Sequence, residues 1–242
     1  MVAIIMAAGV GSRISRHVDK PKCLLEIEGE SILRRTVKML LRNHISSVVV
    51  TGYQHRQIAR ELQDLQATLL HNPFYRVTNS LGSLWFARDY IQDDEDVILL
   101  NADVFWEQDI LDILLLGKEN ALLLADSSVE RLEQGDYFFG VHDGTIVKYG
   151  KDMKRVDRTH EYVGVGIVRA AFVPVFCDMM QYMMDSEQYN CWWEDILYRC
   201  SSDHDVYIRD IAGHFWAEVD YIEDYERIMN YICQRNQGKA AE

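Results

Sequence analysis

Two glycines, one arginine and one lysine near the start of the chain have the types and spacing that phosphate handling needs. Residues 6–22 read MAAGVGSRISRHVDKPK. Gly9 and Gly11 let backbone N–H groups turn inward at the end of a buried strand, where a concave set of amides can hold phosphate oxygens. Arg13 adds a fork-shaped cation beside them. Lys22 supplies a compact point charge, and Pro21 fixes the backbone that presents it. A dinucleotide fingerprint does not fit, because Ile14 stands where its third glycine belongs. A Walker loop does not fit either, because Lys22 is flanked by Pro21 and Cys23 instead of glycine and a hydroxyl residue. A strand-end loop with two spaced cations suits a triphosphate and a second phosphate.

The elements that must position this loop are legible in outline. VAIIMAA, residues 2–8, is a continuous apolar run ending in glycine, as in a strand buried on both faces of a parallel sheet. Residues 31–42 place Ile32, Leu33, Val37, Leu40 and Leu41 on one helical face with Ser31 as the N-cap. SSVVVTG reads as a second buried strand, and a helix follows at 55–65, giving a βαβα opening with right-handed crossovers. Further strands are expected at 96–104, 120–126, 161–169 and 205–209, and helices at 107–116, 170–183, 192–201 and 221–235. Asp143-Gly144 between two alternating stretches signals a hairpin. The expected fold class is α/β, a three-layer α/β/α arrangement whose central sheet is mixed but mainly parallel. One domain over 1–235 is expected, with 236–242 a disordered tail.

Composition narrows the function. The formal charge of −13 argues against a nucleic-acid binder, whose affinity comes from clustered Lys and Arg, but leaves room for small anions where a few cations are focused. The opening apolar run is too short for a membrane span and lacks the basic leader of a signal peptide, so no membrane association is expected. Five widely spaced cysteines without a C-x-x-C pair read as reduced thiols in a cytoplasmic protein. There is no G-x-S-x-G elbow, and the eight histidines show no zinc spacing. The stripe Ile222, Tyr225, Ile228, Met229 and Ile232 reads as a packing helix and not as an oligomer seam; nothing else in the sequence bears on oligomeric state.

The opening segment resembles the signature of nucleotidylyltransferases that join a nucleoside triphosphate to a phosphorylated small molecule, G-x-G-[ST]-R, a spacer, then P-K. It stands here as Gly9-Val10-Gly11-Ser12-Arg13 and Pro21-Lys22, preceded by the fitting Ala7-Ala8. The resemblance implies a Rossmann-like, GT-A-like nucleotidyltransferase fold. It also extends to LLNADVFW, whose aspartate is Asp103, and to AEVDYIEDYERI, whose aspartate is Asp220. By that resemblance Arg13, Lys22, Asp103 and Asp220 are the catalytic set, and Asp103 and Asp220 hold Mg²⁺ through oxygen ligands. Ala7, Ala8, Gly9, Gly11, Ser12, Asn79 and Ser83 would then bind the nucleotide.

Within the family, HNPFYRVTNSLGSLWFA resembles the small phosphocholine cytidylyltransferases more than the sugar-phosphate enzymes, whose glycine-rich segment is missing here. CTP and phosphocholine are accordingly the expected substrates. Trp192 and Trp193 beside Glu194 and Asp195 could surround a substituted ammonium group, although acids at a helix start also favour the dipole and a tryptophan can simply be core. An aminoalkylphosphonate or a sugar 1-phosphate remains open as acceptor, as do UTP and GTP as donors. A nucleotide-binding regulator without catalysis is the alternative from another class; it would be expected to have lost Lys22, Arg13 or an aspartate, and none is lost.

Overall fold

The computed structural model describes residues 1–11 and 20–240. Ser12, Arg13 and Ile14 lie outside the described residues, as do 241–242 at the end of the chain. The first strand, β1 (Val2–Ala7), is buried along its whole length. A short ribbon of β2 (Glu26–Ile27) and β3 (Glu30–Ser31) leads into α1 (Ile32–Arg42). Ser31 caps α1 as expected, its Oγ accepting the Arg34 N–H at 3.1 Å. Then come β4 (Ser46–Thr51), α2 (His55–Glu61), β5 (Ala67–His71) and α3 (Ser80–Phe86). The middle of the chain forms β6 (Val97–Asn101), β7 (Val104–Phe105), α4 (Gln108–Leu116), β8 (Ala121–Asp126) and α5 (Val129–Gln134).

The hairpin β9 (Phe138–His142) and β10 (Thr145–Gly150) turns at Asp143 and Gly144. Their φ values of 49° and 79° are the left-handed pair that a two-residue turn requires. The chain closes with β11 (His160–Val168), α6 (Val173–Asp185), α7 (Glu194–Cys200), β12 (Tyr207–Asp210), β13 (Ala217–Glu218) and α8 (Ile222–Ala240). Helix α8 runs past residue 235, where the sequence reading placed the start of a tail. Side chains at that point give it something to hold: Arg235 pairs with Glu107 and Glu28, and Asn236 donates to Glu28 at 3.0 Å.

Among the described residues the main sheet has nine strands in the order β5-β4-β1-β6-β11-β8-β12-β10-β9. β5, β4, β1 and β6 are mutually parallel, β11 runs against both β6 and β8, and β12 is parallel to β8. This is the mixed α/β/α sandwich expected. Successive residues of its strands feed opposite faces. Ile4, Leu99 and Leu123 pack with α3, α6 and α7, whereas Ile5, Ile98 and Leu122 pack with α1, α2 and α4. A third, smaller cluster joins Ile228 and Ile232 of α8 to Phe105 and Val219. β1 lies between β4, which follows it through α1, and β6, which arrives from the other side. The chain order therefore reverses at the carboxyl end of β1, where open α/β sheets bind their ligands.

Candidate active site

A cleft of about 340 Å³ opens at that reversal point, lined at one end by Ala7–Gly9 and Lys22 and at the other by the Tyr137 and Trp192 region. Gly11 has φ +62°, a left-handed conformation that costs a side-chain-bearing residue about 1 kcal/mol or more. A Cβ there would also meet Lys22 Cγ at 2.6 Å. The second glycine of the loop thus makes room for the lysine stem. Gly52 does the same one strand over, where a Cβ would fall 2.7 Å from the Ala8 carbonyl and 2.6 Å from Tyr75 Cβ.

Lys22 is aimed by its neighbours. It begins a short 3-10 turn after Pro21, whose carbonyl accepts the Leu24 N–H, and the side chains of Cys23 and Leu24 are buried beneath it. Its Nζ lies 2.7 Å from Asp103 Oδ2 and 2.6 Å from Asp220 Oδ1. The two aspartates, far apart in sequence, meet because β13 pairs antiparallel with β7, setting Glu218 opposite Val104, and because the Val219 N–H donates to the Asp103 carbonyl. Asp224, in the first turn of α8, accepts the backbone N–H groups of Asp220 and Tyr221 and so fixes the approach. Burial by itself would lower the Lys22 pKa, but the charges of Asp103 and Asp220 outweigh it and hold the ammonium well above its ordinary range.

Glu218 completes this acidic end. It is partly buried, and burial first, then the charge of Asp103, push its carboxyl well above the usual range against the pull of Lys22. Burial, then the charge of Asp103, raises the Cys23 thiol to about 12, which disfavours the reactive thiolate. Asn101, at the end of β6, ties the two ends of the cleft together. Its Nδ2 donates to Glu218 Oε1 at 3.4 Å and to Glu194 Oε1 at 3.3 Å, and its Oδ1 accepts the Trp193 indole N–H at 3.1 Å.

Asn79 and Ser83 both line the cleft. Asn79 caps α3 through its own side chain, accepting the Ser80 N–H. Ser83 is held by Asn72, a fully buried residue whose Nδ2 reaches Ser83 Oγ and Thr78 Oγ1 and whose Oδ1 accepts the Phe74 N–H. Hydrogen bonds Asn79 N–H to the Tyr189 carbonyl and Trp193 N–H to Ser80 Oγ join this segment to the far end of the cleft.

The four residues expected around an acceptor separate into two pairs. Trp192 and Glu194 line the cleft. Trp193 and Asp195 do not: Trp193 is wholly buried in the core with its indole N–H on Asn101, and Asp195 turns back to accept the Trp192 N–H at 2.8 Å. Their physical roles are packing and capping. The other walls, which the sequence reading missed, are tyrosines and acids. Tyr137 stacks on Tyr198 at 5.4 Å and meets Trp192 edge-on at 6.1 Å. Glu161 and Tyr162, consecutive on β11, both line the cleft, and the register of β11 against β8 slips just beyond them, between Tyr162 and Gly166. Burial raises the carboxyls of Glu161 and Glu194 to about 7 each. Glu218 was within reach of the sequence, because it stands two residues before Asp220 and so shares its side of an extended segment.

A glycine-bearing strand end and a lysine between two convergent carboxylates, at the reversal point of a three-layer α/β/α sheet, make a cleft suited to phosphate groups. Residues 3–133 match the MobA-like NTP transferase domain, and the chain belongs to that family. It is 25% identical over 259 residues to the CTP:phosphoglutamine cytidylyltransferase of Campylobacter jejuni, covering 93% of this chain and 98% of that one. It is 40% identical over 111 residues to the choline-phosphate cytidylyltransferase of Haemophilus influenzae, covering 43% of this chain and 47% of that one. The solved structure of the CTP:phosphocholine cytidylyltransferase from Streptococcus pneumoniae superposes with a TM-score of 0.78 at 17% identity, over 96% of this chain and 98% of that one. That likeness is one of fold. No helix among the described residues is long and apolar enough to cross a membrane.

Proposed function

We propose that the protein transfers a cytidylyl group from CTP to a small phosphorylated acceptor carrying a cationic amine, the class that includes phosphocholine, and releases pyrophosphate. The observation that carries this reading is the division of one cleft into two chemistries. A glycine loop with Lys22 faces one end, and tyrosines with the buried acids Glu161 and Glu194 face the other. Anionic phosphates suit the first, and an ammonium group suits the second.

An acceptor phosphate is largely dianionic near neutral pH, since its second pKa is about 6. It therefore needs no strong base. One of its oxygens forms a bond to the α-phosphorus of CTP while the bond from that phosphorus to pyrophosphate breaks. The barrier is the approach of two anions, so the work falls to cations and oriented donors. Lys22 is assigned to the attacking and α phosphates, and Arg13 with the loop amides to the β and γ phosphates. Asp103 and Asp220 fit a magnesium site: both present an oxygen to a single cation, the Lys22 ammonium, and Mg²⁺ is commonly held by one or two carboxylates with phosphate and water completing its shell. When bound there it would supply charge neutralisation to the phosphates. Asn101 keeps Glu194 and Glu218 in register, so that both halves of the cleft are set before substrates arrive.

The test is pyrophosphate release with Mg²⁺ from each of the four ribonucleoside triphosphates against phosphocholine, phosphoethanolamine, aminoethylphosphonate and sugar 1-phosphates. CTP with an amine-bearing acceptor is the expected productive pair. Turnover confined to sugar 1-phosphates, or nucleotide binding without release from any pair, would refute the assignment.

A further inference from the structure

We infer that the acceptor end of the cleft selects an ammonium group that still carries N–H donors, a primary to tertiary amine, over a quaternary one. This rests on the proposed function and deepens it. Two buried carboxylates face this end, Glu194 at 5% and Glu161 at 6% exposure. Each has one oxygen engaged: Glu194 Oε1 accepts from Asn101, and Glu161 Oε1 accepts the Asp136 N–H at 3.1 Å. Neither Oε2 has a hydrogen-bond partner among the described residues. Arg131 Nη1 stands 3.8 Å from Glu161 Oε2, close enough to pair its charge but beyond hydrogen-bond reach. The Tyr162 hydroxyl is buried beside Glu194, close enough for the two groups to shift each other's titration.

The aromatic walls attract any cation and so discriminate little between methylated and unmethylated amines. One indole face is in any case engaged, because Lys151 Nζ lies 5.2 Å over the Trp192 ring while paired with Asp136 at 2.6 Å. That leaves the carboxylate oxygens to decide. A trimethylammonium group has no N–H, so it would leave Glu194 Oε2, already shielded from water, without a hydrogen bond. A group bearing N–H donors satisfies it, and can reach Glu161 Oε2 or the tyrosine oxygen as well. A charge-assisted hydrogen bond of this kind is worth roughly tenfold or more in specificity.

The experiment is a methylation series. Initial rates of pyrophosphate release with CTP are measured on phosphoethanolamine, its N-methyl and N,N-dimethyl derivatives, and phosphocholine. The expected result is that kcat/KM falls along the series, with the largest step, roughly tenfold or more, at the loss of the last N–H. Glu194→Gln should compress the series, cutting the phosphoethanolamine rate far more than the phosphocholine rate; its CTP affinity and circular dichroism report whether it folds, and if it does not, the series on the unaltered protein decides alone. A flat series, or one on which phosphocholine is best, overturns this inference while leaving the proposed function standing. No turnover on any member, with turnover on a sugar 1-phosphate, overturns the proposed function and this inference with it.

Discussion

Glu194→Gln should stabilise the unliganded protein, and by an amount that depends on pH. Burial holds the Glu194 carboxyl near 7 in the folded chain against 4.5 when exposed. Between those two values the folded state binds more protons than the unfolded state, so this group opposes folding increasingly as pH rises from 4.5 and levels off above 7. One pKa unit corresponds to about 1.4 kcal/mol, so the penalty grows by roughly 2–3 kcal/mol between pH 5 and pH 8. Gln has nearly the same shape, can still accept from Asn101, and cannot ionise. The difference in unfolding free energy between variant and parent, taken from urea titrations at pH 5, 6, 7 and 8, should therefore rise by that amount in favour of Gln. Groups remote from Glu194 are common to both chains and drop out of the comparison, whereas Glu218, which the Glu194 charge helps to push up, shifts with it. A difference that stays constant across the range would mean that Glu194 titrates like an exposed glutamate, and the picture of an enclosed carboxylate awaiting a cation would fail.

Lys22→Ala should lower pyrophosphate release by a factor on the order of 10² or more, because a positioned cation at developing phosphate charge is lost; near-normal turnover would remove Lys22 from its assigned role. Gly11→Ala should also reduce turnover, since its Cβ would sit 2.6 Å from Lys22 Cγ in a left-handed backbone, and a crystal structure of the variant should show the lysine displaced from the two aspartates. Trp216→Phe should lower stability by about 1–3 kcal/mol in denaturant titration, because it removes the 2.8 Å indole N–H bond to Oδ2 of buried Asp126. Asp103→Asn should weaken Mn²⁺ binding measured by electron paramagnetic resonance in the presence of CTP, with no comparable change for Asp112→Asn on the solvent side of α4.

The parts of this molecule that could be read from the sequence are those whose meaning is local. A buried strand ending in Gly9 and Gly11, a proline before Lys22, the Ser31 cap and the Asp143-Gly144 turn each carry their structural reason within a few residues. Strand β5 does not: its ATLLH is mostly exposed and keeps no alternation, and only pairing with β4 makes it a strand. The same holds for the acceptor end. Trp192 and Trp193 are identical as letters, and which of them is core depends on where Asn101 sits across the cleft. Glu161 and Tyr162 are consecutive in sequence, and that both line one cavity is a tertiary fact that strand alternation does not announce.

The contrast between the two ends of the cleft also explains why so acidic a chain can handle a triphosphate. Lys22 lies between Asp103 and Asp220 in the unliganded protein, so its charge is already spent on neighbours. A divalent cation arriving with the nucleotide would compete for those same oxygens, and whatever it displaces is an ammonium group already within the cleft and free to turn to phosphate. Glu218, two residues from Asp220, adds no charge while its raised carboxyl keeps its proton, so the demand for a cation at that point comes from Asp103 and Asp220. In the proposed assignment the acids at this end recruit cations for the nucleotide, whereas Glu194 and Glu161 meet the cation of the acceptor, and Asn101 bonds Glu194 and Glu218 alike.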